Sequence, residues 1–191
     1  MSASATPGRV LVAGIGNIFL SDDGFGVETL RSLSAGELPD HVEAVDFGVR
    51  GVHLAYQVLD GYHTLILVDA AARGGPPGTV YLIEPEAGPV ESAADEPLLD
   101  GHRMGPDAVL ALLGTLAAGT GTEPPARILV VGCEPESLDE GIGLSPAVAA
   151  AVGEAAALVR RLLHGDVPTP DTPRGDVAVA ETEAERKAAS C

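Results

Sequence analysis

Four short apolar runs and one alternating stretch, separated by segments of helical period or by turns, organise most of the chain. The first, Val10-Leu11-Val12-Ala13, is continuous rather than alternating, which predicts a strand buried on both faces of a parallel sheet. The chain then turns at Gly14-Ile15-Gly16-Asn17. After the adjacent carboxylates Asp22-Asp23, Val27, Leu30 and Leu33 recur every three residues and predict a helix running from Asp23. His41–Asp46 alternates like a second strand and closes in Phe47-Gly48-Val49-Arg50-Gly51. Val52, Leu54, Ala55, Val58 and Leu59 then suit a short helix to about Asp60. Thr64–Val68 is again continuously apolar, so a central strand is expected there, ending at Asp69-Ala70. Thr79–Ile83 reads as the fourth strand. A parallel return needs roughly a dozen residues, and Ala71–Gly78 is shorter, so the fourth strand is expected to run antiparallel to the third.

Glu84–Gly101 is a long polar loop that delivers His102 to the start of a helix opened by Gly105-Pro106. Val109, Leu110, Leu112, Leu113 and Leu116 form that helix's expected buried stripe, with a linker at Gly119–Pro125. Arg127–Val131 is the fifth strand and leads into Gly132-Cys133-Glu134-Pro135-Glu136-Ser137. Ser145-Pro146 supplies an N-cap and first residue for the last helix, whose apolar period is Val148, Val152, Ala155, Val159 and Leu162. Arg160, Arg161 and His164 suit its C-terminal dipole, and Gly165 stops it. The expected organisation is a flexible N-terminus over 1–8, one α/β domain over 9–165 and an acidic, proline-containing, disordered tail over 166–191.

With 46% hydrophobic but only 3% aromatic residues, the core must be built from Val, Leu, Ile and Ala. No apolar run approaches the roughly 18 residues of a membrane span, and the N-terminus lacks the apolar region of a signal peptide. Cys133 and Cys191 do not make a disulfide framework, so a reduced, cytoplasmic setting is expected. A net charge of −17 and a single lysine, Lys187, argue against a basic nucleic-acid surface. They also remove a Walker-A lysine or a lysine nucleophile from the body of the domain.

Gly14-x-Gly16 lacks the third glycine of a dinucleotide fingerprint, since Phe19 stands in that place. Two acids at the head of a helix would also repel a pyrophosphate. One carboxylate of Asp22-Asp23 suffices to cap the helix, so the second needs another purpose. Asp23, Asp69 and His102 come from three segments that begin or end at one sheet edge, and two carboxylates with one imidazole suit a divalent transition metal with open positions. His41, His53, His63 and His164 have no such setting and read as structural. Cys133 is either a thiol nucleophile at that edge or a small buried residue, and the buried reading is the stronger. There is no Gly-x-Ser-x-Gly elbow and no serine triad.

Gly14-Ile-Gly-Asn17, Ser21-Asp-Asp-Gly24, Val68-Asp-Ala70, Gly101-His-Arg-Met104 and Gly132-Cys-Glu-Pro-Glu-Ser137 with Gly143-Leu-Ser-Pro146 together resemble the nickel–iron hydrogenase maturation endopeptidases, in order from about residue 9 to 164. The resemblance implies a three-layer α/β/α sandwich, phosphorylase/hydrolase-like, on a five-stranded, mostly parallel sheet with one antiparallel strand. It implies removal of a C-terminal peptide from the hydrogenase large-subunit precursor once nickel is in place. The nickel, supplied by that precursor, would be recognised by Asp23, Asp69 and His102, Asp23 being a shorter arm than the glutamate common in the family. The family displays no standard nucleophile, so the catalytic residue stays unassigned. Outside the family, the residues also suit a nickel-binding accessory protein without peptidase activity, a hydrolase of another bond, or a receiver-like acidic domain. A receiver would need a lysine where Gly132-Cys133 stands.

Overall fold

Residues 8–85 and 105–166 are described by the computed structural model of the chain. They form β1 (Val10–Ile15), α1 (Phe25–Ser34), β2 (Val42–Gly48), α2 (Gly51–Val58), β3 (Thr64–Ala70), β4 (Val80–Ile83), α3 (Pro106–Thr120), β5 (Arg127–Cys133) and α4 (Pro146–Leu163). The five strands make one sheet in the order β2-β1-β3-β5-β4. All neighbours are parallel except β4, which pairs antiparallel with β5. The short 71–78 link thus reverses the chain as expected, but β4 lands beside β5 rather than beside β3.

Strand side chains alternate between faces, and the core divides accordingly. Val12, Ile66, Val68, Leu129 and Val131 face α1 and α4. Leu11, Ala13, Leu65, Leu67 and Val130 face α2 and α3. Helices on both faces make the sheet the middle of three layers, as expected. Central β3 has five successive buried residues, Leu65 to Asp69, which is why its sequence shows no alternation.

Several expectations shift in detail. Ser21–Gly24 is a separate turn of 3-10 helix, so α1 starts at Phe25 rather than at Asp23, and no side chain caps it. In α3 only Val109, Leu113 and Ala117 are fully buried, an i, i+4 row, while Leu110, Leu112 and Leu116 are half-buried. Arg160 lies in the last turn of α4, as expected, and also reaches a second helix. Its Nη2 donates to the carbonyls of Ser32 and Leu33, at 3.4 and 3.0 Å, and so closes the C-terminus of α1. Gly165, at φ +80°, ends α4 as its position suggests. The N-terminus up to residue 7 and the tail beyond 166 lie outside the described residues, as does the long polar loop over 86–104. Among the described residues, no helix is long and apolar enough to cross a membrane.

Two glycines set how closely α1 meets the sheet. A Cβ on Gly26 would overlap the carbonyl oxygens of Ile15 and Val68, so the helix packs on the ends of β1 and β3 at a separation no side chain permits. Gly16, at φ +125°, turns the chain where a Cβ would overlap the Asp23 carbonyl oxygen. Together they fold the β1–α1 loop back over the end of β3, where Asp69 stands.

Candidate functional site

Four acids gather at the carboxyl edge of the sheet, and their surroundings divide them into two kinds. Asp22 and Glu134 are buried and well supplied with donors. Asp22 Oδ2 accepts the N–H groups of Glu136 and Ser137, at 2.8 and 3.1 Å, and Oδ1 accepts that of Ser145 at 2.6 Å. Burial alone would raise its pKa, but these backbone donors outweigh burial and hold the carboxyl below its ordinary range. Glu134 accepts from the N–H groups of Arg73 and Gly74 and from the Tyr81 hydroxyl. Its pKa too is lowered, those bonds overcoming burial. Asp22 therefore fastens the β1–α1 loop to the β5–α4 loop, and Glu134 fastens the β3–β4 link. Both are structural anchors.

Asp69 is the other kind. By strand alternation it lies on the α2/α3 side, and it is only 4% exposed. Among the described residues its carboxylate accepts one hydrogen bond, from the Ala70 N–H at 2.8 Å. Burial and then the nearby Asp23 charge push its pKa well above the ordinary range, against that single donor. Two glycines border it closely: a Cβ on Gly16 would stand 3.4 Å from Oδ1, and one on Gly105 3.9 Å from Oδ2. Asp23 is half-buried, and its Oδ2 accepts the Asn17 N–H at 2.6 Å, which closes the 17–23 loop. Neither acid caps α1, so the capping role expected for one of them is replaced by these loop contacts.

The structure thus brings Asp23 and Asp69 together, as the sequence suggested. His102 lies outside the described residues; Gly105, three positions later, is the first described residue after the gap and borders Asp69. Among the described residues, no three His, Cys, Asp or Glu side chains are placed to hold a metal. The acid pair offers oxygen donors of the right charge for a divalent cation, with the remaining ligands to come from elsewhere.

Cys133 is fully buried in the α1/α4 half of the core. Burial, with the charges of Asp22, Glu134 and Glu154, pushes its thiol up to about 12. A thiolate is the reactive form, so this geometry does not make a nucleophile. Cys133→Ala is expected to retain most activity at a cost of about 1 kcal/mol or more in stability. A folded Cys133→Ala protein without activity would reinstate a thiol mechanism.

Beside the acid pair runs an open groove of about 410 Å³ between the 16–19 and 46–50 segments, floored in part by Val27 and Arg31. Nothing in the local pattern of Phe47–Gly51, which has the character of a strand end, signals it. Arg50 sets its far wall by folding back onto the carbonyls of Phe47 and Asp46. An open trough of this kind can take an extended chain and lead it to Gly16.

A family model described as "Hydrogenase maturation protease" matches residues 27–161. The "Hydrogenase expression/formation protein HoxM" of Cupriavidus necator is 35% identical over 178 residues, covering 90% of this chain and 82% of that protein. The "Hydrogenase 2 maturation protease" of Escherichia coli K12 is 34% identical over 145 residues, covering 75% and 84%. Among solved structures, the hydrogenase maturating endopeptidase HybD from E. coli superposes with a TM-score of 0.65 at 31% identity, covering 82% of this chain and 94% of that one.

Proposed function

Because the chain belongs to the hydrogenase maturation protease family, we propose that it removes the C-terminal peptide of a nickel–iron hydrogenase large-subunit precursor after nickel insertion. The family and its solved neighbours make the chain a peptidase acting in hydrogenase processing. In this reading the nickel is part of the substrate, and Asp23, Asp69 and His102 recognise it. The observation that carries the proposal is the state of Asp69. It is a buried carboxylate with one donor among the described residues, raised by burial and by a second acid, at the strand end that Gly16 and Gly105 border. Such an arrangement costs stability unless a cation neutralises it.

Docking the precursor's nickel on this pair would fix the chain that carries it, with the groove along 16–19 and 46–50 guiding the extension. Orientation of a bound peptide relative to a metal can remove much of the barrier. The metal can polarise the scissile carbonyl or a water. The short Asp23 arm, held by the Asn17 N–H, stays on one side of the site while Asp69 approaches from the strand end. The burial of Cys133 and its raised thiol favour water over a thiolate as the attacking group.

The test mixes purified protein with nickel-loaded and nickel-free precursor and follows the mass of the large subunit. Loss of a small C-terminal fragment is expected from the nickel-loaded form alone. His102→Ala should slow cleavage by at least the roughly 10–100-fold that even outer partners of a metal site cost, with the melting temperature recorded alongside. Cleavage of nickel-free precursor at an equal rate would remove nickel from the recognition step.

A further inference from the structure

Among the described residues, five of the seven exposed large apolar side chains, Ile18, Phe19, Val49, Leu138 and Ile142, lie on the loops that follow β1, β2 and β5, and Val52 and Tyr56 lie on α2. The part on the β5–α4 loop is separate from the groove. There Ile142 is 85% exposed and Leu138 is 44% exposed, with Phe19, 61% exposed, on the neighbouring loop. Isoleucine in water is unremarkable on a floppy segment, but this segment is held along its length. The Ser21 N–H donates to Gly141 O, the Gly141 N–H to Phe19 O and the Asp22 N–H to Ser137 O, at 3.0, 2.9 and 3.2 Å. Ser21 Oγ donates to Asp139 O at 3.0 Å, and Ser137 Oγ closes a small turn with Asp139. Even Ser21 is kept at φ +49°, a conformation its side chain disfavours. Apolar side chains displayed on a fixed frame lose little entropy when a partner covers them.

The same lip is acidic. Glu136, Asp139 and Glu140 surround Leu138, and no lysine or arginine occurs anywhere from residue 128 to residue 159. An apolar centre with a single-sign rim is a specification for its partner.

We propose that the 136–143 lip, with Ile142 and Leu138 as anchors, docks the folded body of the precursor, fitting an apolar hollow rimmed by lysine or arginine. This rests on the function proposed above and adds a second point of attachment, away from the nickel and from the C-terminal extension. The acidic rim speeds encounter and sets orientation, and the anchors hold the complex long enough for the extension to reach the acid pair. A second copy of this chain is a poor occupant, because at a net charge of −17 two acidic lips repel.

The experiment titrates nickel-loaded precursor with wild type, Ile142→Asp and Glu136→Lys/Glu140→Lys, reading Kd at several salt concentrations, and measures single-turnover cleavage at saturating enzyme. Ile142 is so exposed that its substitution leaves the fold intact. The expected result is a Kd raised about tenfold or more by Ile142→Asp, with saturated cleavage within about twofold of wild type. Wild-type binding should weaken with salt, and the double lysine variant should bind more weakly at low salt and lose that dependence. If wild type binds and cleaves while Ile142→Asp binds equally well, the lip proposal is overturned and the peptidase reading stands. If saturated cleavage falls as much as binding, the residue acts on the chemistry and the docking role is wrong. If wild type neither binds nor cleaves the precursor, the peptidase reading fails and takes the lip's partner with it. Self-association abolished by Ile142→Asp would reassign the lip to a dimer and overturn the proposal.

Discussion

Asp69→Asn is expected to melt at a higher temperature than wild type while cleaving nickel-loaded precursor at least about 100-fold more slowly. The amide keeps the shape of the side chain and can still accept the Ala70 N–H. It removes a negative charge that is buried beside Asp23. Losing such a charge from a strained site is worth about 1 kcal/mol or more, roughly 2–4 °C per kcal/mol in a domain of this size. The pH dependence sets the sign. Asp69 has a raised pKa in the folded chain, so over the window from the ordinary carboxyl value of 3.8 up to its raised value the native state binds more protons than the unfolded one. Stability from this group is present at the acid end and is lost as pH rises through the window. The advantage of Asp69→Asn should therefore be absent below the ordinary range and grow as pH rises above it. Melting curves of both proteins from acid to neutral pH measure this, and a difference independent of pH would show that Asp69 is not a charge burden. Cleavage should follow the opposite course, because a cation must displace the proton that burial favours.

Asp22→Ala is expected to be the most damaging single change for stability, lowering the melting temperature by about 10 °C. Three backbone N–H groups, from Glu136, Ser137 and Ser145, lose their acceptor in a buried setting. Each such orphan costs about 1–3 kcal/mol, and a domain of this length shifts by roughly 2–4 °C per kcal/mol. Here the linkage runs the other way from Asp69. The lowered pKa of Asp22 contributes stability above the ordinary carboxyl range, and that stability disappears as pH falls through the lowered value. Wild type should consequently lose stability in acid more steeply than Asp22→Ala. Thermal melting across pH 2 to 7 would decide it; a loss of only a degree or two would mean that the two loops are joined by other contacts.

The contrast between these neighbours marks what the sequence could carry. Continuous apolar runs identified β1, β3 and β5, because a strand buried on both faces must be apolar throughout, and alternation identified β2. The shortness of the 71–78 link foretold the reversed β4. Asp69 was legible since a polar residue ending such a run can only emerge at the sheet edge. Asp22 was not, because its partners lie more than a hundred positions along the chain, and beside Asp23 it looked like a cap. Glu134 hid in the same way among the acids after β5, and the service of Arg160 to α1 depends on how two helices meet, which no local period encodes. The 3-10 turn at Ser21–Gly24 follows from that long-range fastening rather than from helix propensity.

The fastening also sets a clock. Asp22 and Ser145 are 123 positions apart. At a synthesis rate of about 5–20 residues per second, the carboxylate waits roughly 6–25 seconds before its last donor has been made. Until then the β1–α1 loop is closed on itself by the Asn17–Asp23 bond but lacks its full set of partners on the β5–α4 loop. The edge that would meet nickel is therefore completed only after β5 has been made, so a chain stopped short of β5 has no β5–α4 loop to hold that edge together.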